Sequence, residues 1–213
     1  MMKKTSAALI AFCIFGFGTA TVTTNSDKFL SAVVTSRSLS WQSPTTHYPG
    51  ELCQGGVVFW VDQTGSHGLI CSMTDLSKDK EWSDVPATLI NETAQSELDG
   101  QTNSDAIIAQ SIATSAADLC NAYTNVDYGT GVYSDWYLPA IGELTHLWNN
   151  LHQVQKALDD DRNAATTAIA KNNYWSSSEY NLNLVWSFNF ATGDREYLCL
   201  KSNTYYVRAV RRF

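Results

Sequence analysis

The sequence lacks the short motifs that mark the most familiar catalytic sites. It has no Gly-x-Ser-x-Gly elbow, and its four histidines, His47, His67, His146 and His152, are scattered along 213 residues. No Cys-x-x-Cys spacing occurs, which disfavours both a cysteine zinc site and a redox-active pair. These patterns supply no activated nucleophile, so we predict that the protein is not an enzyme.

Positive charge is scarce in this chain. It carries 14 basic and 21 acidic residues. Without Lys3 and Lys4, which belong to a predicted signal peptide, the formal charge is −9. An acidic protein repels polyanions at long range, so the composition argues against nucleic acid as a partner.

The apolar stretch near the N-terminus is too short for a permanent membrane anchor. Residues 7–17, at about 1.5 Å per helical residue, cannot span a bilayer of about 30 Å. Two lysines precede this stretch and the small residues Gly18-Thr19-Ala20 follow it, so residues 1–20 are predicted to be a cleaved signal peptide. A retained helix and a lipoprotein at Cys13 are the alternatives. We expect a secreted or periplasmic protein with no transmembrane segment after cleavage.

Four cysteines remain after cleavage, namely Cys53, Cys71, Cys120 and Cys199. An even number in an oxidising compartment predicts two disulfides, and four cysteines allow three connectivities. We favour Cys71–Cys120 with Cys53–Cys199, because the first bridge would tie a core strand to a core helix. The sequence leaves the other two connectivities open.

The mature chain divides into a leader and one domain. Residues 21–48 are rich in Ser and Thr and have no apolar period, which predicts a flexible leader. Residues 49–213 are expected to form the domain, which opens with a hairpin of residues 57–62 and 69–73. Its seven Trp, ten Tyr and eight Phe supply a large apolar core.

Two helices and a set of strands are predicted within this domain. The first helix begins at a cap among residues 103–105 and ends near Tyr123, because apolar residues recur at near 3.6-residue spacing. The second follows Pro139 and continues to about Leu158 along a similar apolar stripe. Alternation in residues 174–213 is typical of three or four antiparallel strands. The prediction is therefore an α+β domain.

Ordered aromatic motifs extend from about residue 50 to the C-terminus. They are Gly55-Gly56-Val57-Val58-Phe59-Trp60-Val61-Asp62, His67-Gly68-Leu69-Ile70-Cys71, Asp135-Trp136-Tyr137-Leu138-Pro139, Tyr174-Trp175-Ser176-Ser177-Ser178-Glu179-Tyr180, Val185-Trp186-Ser187-Phe188-Asn189-Phe190 and Val207-Arg208-Ala209-Val210-Arg211-Arg212-Phe213. In this order they resemble the Lcl C-terminal domain family, long listed as a domain of unknown function. The family is named after a bacterial collagen-like adhesin that binds sulfated polysaccharides.

This resemblance implies a fold and a general role. The family is similar to the C-type-lectin-like fold, which is shared with formylglycine-generating enzymes. The implied arrangement has two helices packed on antiparallel strands, with long loops on one side and residues 57–61 near residues 206–210. It also implies adhesion. The Gly-x-y stalk of the collagen-like adhesin has no counterpart in this sequence.

Basic residues near the C-terminus are the best candidates for ligand binding. Arg195, Lys201, Arg208, Arg211 and Arg212 give a local charge of +4 with Glu196. Guanidinium groups bind sulfate or carboxylate in bidentate fashion, and aromatic rings stack on sugars. We predict ligand binding by Arg195, Lys201, Arg211 and Tyr197. A salt bridge of Arg208 with Glu179 or Asp194 is the alternative for that arginine, and Trp175 and Trp186 are either a sugar platform or core.

Metal binding has less support. Glu143 and His146 have the spacing of a di-iron ligand pair, but the second copy is missing, so we interpret them as an exposed polar pair. Asn125, Asp127 and Asp135 could hold calcium, although a loop of turn formers explains them as well. We predict no metal and no other cofactor, and calcium stays an alternative.

These observations lead to two hypotheses about function. The first is an exported, non-enzymatic binding module of lectin-like or adhesin type that recognises a glycan or polysaccharide. The second is a structural or protein-interaction domain of the cell envelope, with an envelope or host surface protein as partner. The acidic net charge and the missing stalk argue against a preference for sulfated polysaccharides.

Overall fold

The computed structural model describes residues 46–213, so the predicted signal peptide and nearly all of the predicted leader lie outside the described residues. This part of the chain has nine strands in two sheets and four α-helices, which confirms the α+β class. None of its helices combines the length and the apolar character needed to cross a bilayer.

The first sheet joins the two ends of the domain. Its strands are β1 (Leu52–Cys53), β2 (Gly56–Val61), β3 (Gly68–Ser72) and β9 (Val210–Arg212), in that spatial order and all antiparallel. β2 and β3 form the predicted hairpin. β9 pairs with β3 rather than with β2, through Leu69 opposite Arg212. The C-terminal strand therefore lies in the same sheet as the first hairpin. It is separated from β2 by β3, whereas the resemblance implied that it lies close to β2.

The second sheet holds the remaining strands. They are β4 (Ser77–Glu81), β5 (Asn173–Glu179), β6 (Leu184–Asn189), β7 (Asp194–Leu200) and β8 (Thr204–Val207), in the order β4-β8-β5-β6-β7. Only the single bridge between Tyr174 of β5 and Tyr206 of β8 is parallel. Residues 173–213 thus form five strands instead of three or four, because the chain changes sheets after Val207.

Each of the two predicted helices is interrupted. The four helices are α1 (Gly100–Gln110), α2 (Ala116–Asn121), α3 (Ile141–Asn149) and α4 (Leu151–Asp160). Ser115 and Asp118 form a capping box that begins α2 as a separate helix. Ile112, which lies within the predicted first helix, is in the segment between α1 and α2 and is 83% exposed. The apolar spacing continues across the break, but the backbone becomes extended at Ser111, which ends α1. The N–H groups of Ile112 and Ala113 then donate to the Asp84 carboxylate.

The start of α3 shows a cap supplied by another element. Ala140, the residue before the helix, has no side-chain oxygen to cap it. Glu143 instead accepts a hydrogen bond from the Ala140 backbone N–H at 2.8 Å. Ser178 of β5 accepts one from the Ile141 N–H at 3.1 Å. The helix N-terminus is therefore fixed to the second sheet, and this places Glu143 inside the domain.

Tryptophan forms the centre of the core. Trp82, Trp136 and Trp175 are each at most 1% exposed and belong to one apolar cluster. The indole N–H groups of Trp82 and Trp175 donate to backbone carbonyls at 2.8 and 2.7 Å. A second cluster, which includes Phe59 and Phe188, packs under α3 and α4. Both clusters satisfy the buried polar atoms of their large rings, as a stable core requires.

The structure does not support the predicted disulfides. Cys53, Cys71, Cys120 and Cys199 are all buried free thiols. Cys71 and Cys120 point into different apolar clusters, and Cys53 and Cys199 lie on different sheets. Burial raises the pKa of Cys71 to about 11 and also raises the pKa of Cys120, so both stay protonated. The spacing of the four cysteines in the sequence does not reveal which of them lie close together in space.

Candidate functional site

The basic residues of the C-terminal region do not form a free cationic face. Each of the five makes an ion pair: Arg195 with Glu97, Lys201 with Glu179, Arg208 with Asp75, Arg211 with Asp135, and Arg212 with both Asp99 and Glu143. Their positive charge is neutralised locally. This arrangement is unsuited to attracting a sulfated polymer.

Lys201 is a structural residue, which corrects its prediction as a ligand-binding group. Its ammonium group is buried, lies 2.6 Å from Glu179 Oε1, and donates to the Thr88 carbonyl at 2.7 Å. It also lies over the Trp82 ring, 5.0 Å from the centroid. Burial lowers the pKa of Lys201. No surface ligand can reach this nitrogen.

Arg211 is likewise committed to the fold. It is 7% exposed and makes a bidentate contact with Asp135, at 2.7 and 3.0 Å. It donates to Gln54 Oε1 at 2.6 Å and packs over the Tyr133 ring. These contacts use three of its five N–H donors and hold Arg211 against the loop before α3.

Arg208 has the structural role that the sequence analysis kept as an alternative, but with a different partner. It is buried and pairs with Asp75 at 2.8 Å, rather than with Glu179 or Asp194. Its guanidinium also donates to the Thr167 carbonyl at 2.8 Å. The carboxylate that it needs lies 133 residues away in the chain. Pairing at such a separation is a property of the tertiary structure.

Arg195 and Tyr197 remain on the surface, on β7. Tyr180, Trp186 and Tyr197 form a group of rings whose centroids lie 5.1 to 6.0 Å apart. Arg195 lies over Trp186 at 5.3 Å. We call these four residues the aromatic surface. Trp175 is buried core, whereas Trp186 is only half-buried and belongs to this surface.

The outer strand of the second sheet is charged at its start and apolar at its end. β7 is its last strand and pairs only with β6 among the described strands. Leu198 and Leu200 on this strand are 68% and 48% exposed. Natural proteins usually protect such edges with charged residues or proline, because exposed backbone groups can pair with another strand. This edge is suited to an extended partner.

A cleft lies between the first sheet and α3. It is a cavity of about 480 Å³, and four apolar residues form its walls: Trp60, Leu69, Leu98 and Phe213. Its polar side chains are Glu143 and His146 of α3, Arg212 of β9, and His67 just before β3. A concave apolar site with a few convergent polar groups is the usual form of a ligand pocket.

Glu143 is the most constrained polar group of the cleft. It is 3% exposed, which corrects its interpretation as part of an exposed pair. Its carboxylate accepts hydrogen bonds from the Tyr137 hydroxyl at 2.9 Å and from Arg212 at 3.4 Å. Burial raises the pKa of Glu143, against the effect of its hydrogen bonds with Ala140 and Tyr137.

His146 lies one turn farther along α3, beside Trp60. The two ring centroids are 5.3 Å apart. Burial lowers the pKa of His146, which keeps the imidazole neutral at neutral pH. A neutral imidazole offers one donor and one acceptor. With an acceptor at Glu143 and donors at Arg212, the cleft presents both kinds of hydrogen-bonding group.

Two of the three side chains considered for calcium already have partners within the protein. Asn125 Oδ1 accepts a hydrogen bond from the Asp127 N–H at 2.8 Å, as expected of turn formers. The Asp135 carboxylate is occupied by Arg211. A calcium ion at this loop would have to compete with that guanidinium.

Comparisons with known proteins place this α+β domain in a family. The model of the Lcl C-terminal domain matches residues 35–211, so the chain belongs to the Lcl C-terminal domain family. The match begins inside the predicted leader.

The fold is similar to that of a solved structure, described as a fimbrial protein from Bacteroides ovatus ATCC 8483. The TM-score is 0.51 at 18% identity, over 77% of this chain and 44% of that one. The likeness thus spans less than half of the fimbrial protein. A search of curated proteins gave no match.

Proposed function

We propose that the protein is an exported, non-enzymatic surface module of adhesin type whose cleft binds a neutral glycan. Membership of the Lcl C-terminal domain family and the likeness to a fimbrial protein support a surface role. Within this proposal the domain is lectin-like, with a C-type-lectin-like arrangement of loops around the ligand. Secretion follows from the predicted signal peptide.

The observation that carries the proposal is the composition of the cleft. Trp60 and Phe213 offer ring faces, while Glu143, His146 and Arg212 offer fixed donors and acceptors. Sugars present apolar C–H faces and hydroxyl groups that both donate and accept. This combination matches a site with aromatic walls and few convergent polar groups.

The charge of the cleft favours a neutral sugar over a sulfated one. Arg212 contacts two carboxylates, Asp99 at 2.9 Å and Glu143 at 3.4 Å. An anionic ligand would therefore meet acidic groups beside the only arginine among the residues that line the cleft. Like charges placed close together oppose binding.

The aromatic surface can extend the same site. Leu98 lines the cleft, and its neighbour Glu97 pairs with Arg195 over Trp186. Residues from the cleft and from the aromatic surface are thus linked through one short segment. In this proposal Arg195 and Tyr197 contact distal units of an oligosaccharide, and a monosaccharide occupies only the cleft.

A glycan array with the purified mature protein tests the proposal. Binding to neutral oligosaccharides is expected, and Trp60→Ala should weaken it at least about tenfold, or about 1.4 kcal/mol. Tyr48→Ala is the matched control, because Tyr48 is 62% exposed and does not line the cleft. An array without signal on neutral or anionic glycans would overturn the proposal.

A second function is favoured by the β7 edge. Exposed Leu198 and Leu200 at the apolar end of β7, which pairs only with β6 among the described strands, suit a protein partner that adds a strand to the sheet. Leu198→Lys should abolish such pairing and leave glycan binding intact. Sedimentation velocity over a range of concentrations, with and without the substitution, would detect pairing between copies.

A further inference from the structure

Three potential metal ligands of different chemistry meet at the start of the domain. They are the His47 imidazole, the Glu51 carboxylate and the Cys53 thiol, whose ligand atoms all lie within 4.8 Å of one another. Within residues 46–213, no other three His, Cys, Asp or Glu residues meet in this way. The four cysteines therefore differ, because only Cys53 lies in such a group.

Backbone contacts hold this group in place. The His47 N–H donates to the Gly65 carbonyl at 2.9 Å, and the Val58 N–H donates to the Glu51 carbonyl at 2.9 Å. Cys53 is fixed opposite Gly56 by the pairing of β1 with β2. The three side chains thus come from one short segment that is bound to the first sheet. Little rearrangement is needed to bring them around one ion.

The side chains are already oriented toward one another. His47 Nδ1 lies 3.0 Å from Glu51 Oε2, which also accepts a hydrogen bond from the Tyr48 N–H at 3.3 Å. The His47 ring packs edge-on against Phe213, with the centroids 4.7 Å apart. Ligands bound to Zn²⁺ at about 2.0–2.3 Å in a tetrahedron lie closer together than 4.8 Å, so a small contraction is sufficient.

The donor atoms and charges fit zinc. A nitrogen, an oxygen and a sulfur ligand are the set that Zn²⁺ prefers, and hard cations such as Ca²⁺ avoid thiolate. One carboxylate and one thiolate balance the charge of a divalent ion. The nearby Arg211 adds no net repulsion, because Asp135 neutralises it.

We infer that His47, Glu51 and Cys53 form a Zn²⁺-binding site, with the fourth position open to water or an exogenous ligand. Binding replaces the thiol proton of Cys53 and releases it to solvent. The ion would tie the entry of the chain to β1 and, through His47, stabilise Phe213 at the wall of the cleft.

Cobalt titration of the purified, reduced protein tests this site. One equivalent of Co²⁺ should give the near-ultraviolet charge-transfer absorption of a cobalt thiolate, and Zn²⁺ should displace it. Cys53→Ser should abolish the band, and Cys199→Ser, a buried thiol outside the group, should retain it. Loss of an outer-shell partner typically weakens metal binding roughly 10–100-fold. Because His47 is a direct ligand in this site, His47→Ala should weaken Zn²⁺ binding by more than that.

Two further measurements test the zinc site even if Cys53→Ser folds poorly. Glu51→Gln leaves the buried thiol intact and should also weaken Zn²⁺ binding, as measured by competition with a chromophoric chelator. Circular dichroism without metal shows whether each variant is folded. Absence of a thiolate band in the folded wild type, or undiminished Zn²⁺ affinity in His47→Ala and Glu51→Gln, overturns the inference.

Discussion

The buried and the exposed cations of the C-terminal region differ in what they do, although the sequence presents them alike. Lys201 and Arg208 are at most 1% exposed and pair with carboxylates inside the domain. Arg195 and Arg212 make their pairs at the surface, beside the cleft and the aromatic surface. Burial therefore distinguishes the cations that are enclosed by the fold from those whose side chains keep contact with solvent.

Removal of a buried cation should have the largest effect. Lys201→Ala leaves the Glu179 carboxylate inside the domain without its ammonium partner, which should cost about 3–5 kcal/mol of unfolding free energy. Urea unfolding measures this loss, and Lys171→Ala, at an exposed position, is the control. A loss below about 1 kcal/mol would remove the distinction between buried and exposed pairs.

The buried carboxylate of the cleft should make stability depend on pH. Because the pKa of Glu143 is raised in the folded state, the folded protein binds its proton more tightly than the unfolded chain does. The free energy of unfolding should therefore fall as pH rises from the unfolded pKa of about 4.5 through the raised folded pKa.

Glu143→Gln should reduce this fall in stability. Urea unfolding at several pH values between about 4 and 7 measures the slope for both proteins. Glu92→Gln, at an exposed position, controls for the change in net charge. An identical slope in Glu143→Gln and the wild type would show that Glu143 is not the group responsible.

Arg212 should matter more for binding than for stability. Arg212→Gln removes donors at the rim of the cleft, and its side chain is 49% exposed, so the stability cost should stay within about 1 kcal/mol. Glycan affinity should fall about tenfold in calorimetric titration. If melting falls sharply and affinity does not change, Arg212 belongs with the buried cations.

The smallest effect is expected from Arg195. Arg195→Ala should change the unfolding free energy by no more than about 0.5 kcal/mol, because both members of its pair with Glu97 are exposed. Affinity for a long oligosaccharide should fall, while affinity for a monosaccharide stays constant. Equal losses for both ligands would place Arg195 in the cleft instead of on the aromatic surface.

Parts of the candidate site could be predicted from sequence. Arg195 and Tyr197 were predicted to bind a ligand, and both side chains are exposed in the structure. Ligand binding by either residue is still a prediction. The cleft itself was missed, because Trp60 reads as part of an apolar strand and Phe213 as the last residue of another. Neither position signals that both residues line one cleft together with Glu143 and His146 of α3. A Glu-x-x-His pair on that helix was visible, but its burial was not.

The sequence by itself determined the family, the α+β class and a core built on tryptophan. These properties depend on apolar periodicity and aromatic motifs, which are encoded locally. Only the tertiary structure decided which cations are buried, which cysteines remain free thiols and where the cleft forms. The reason is that each of these outcomes depends on contacts between distant residues: Arg211 meets Asp135 across 76 positions, and Arg212 meets Glu143 across 69.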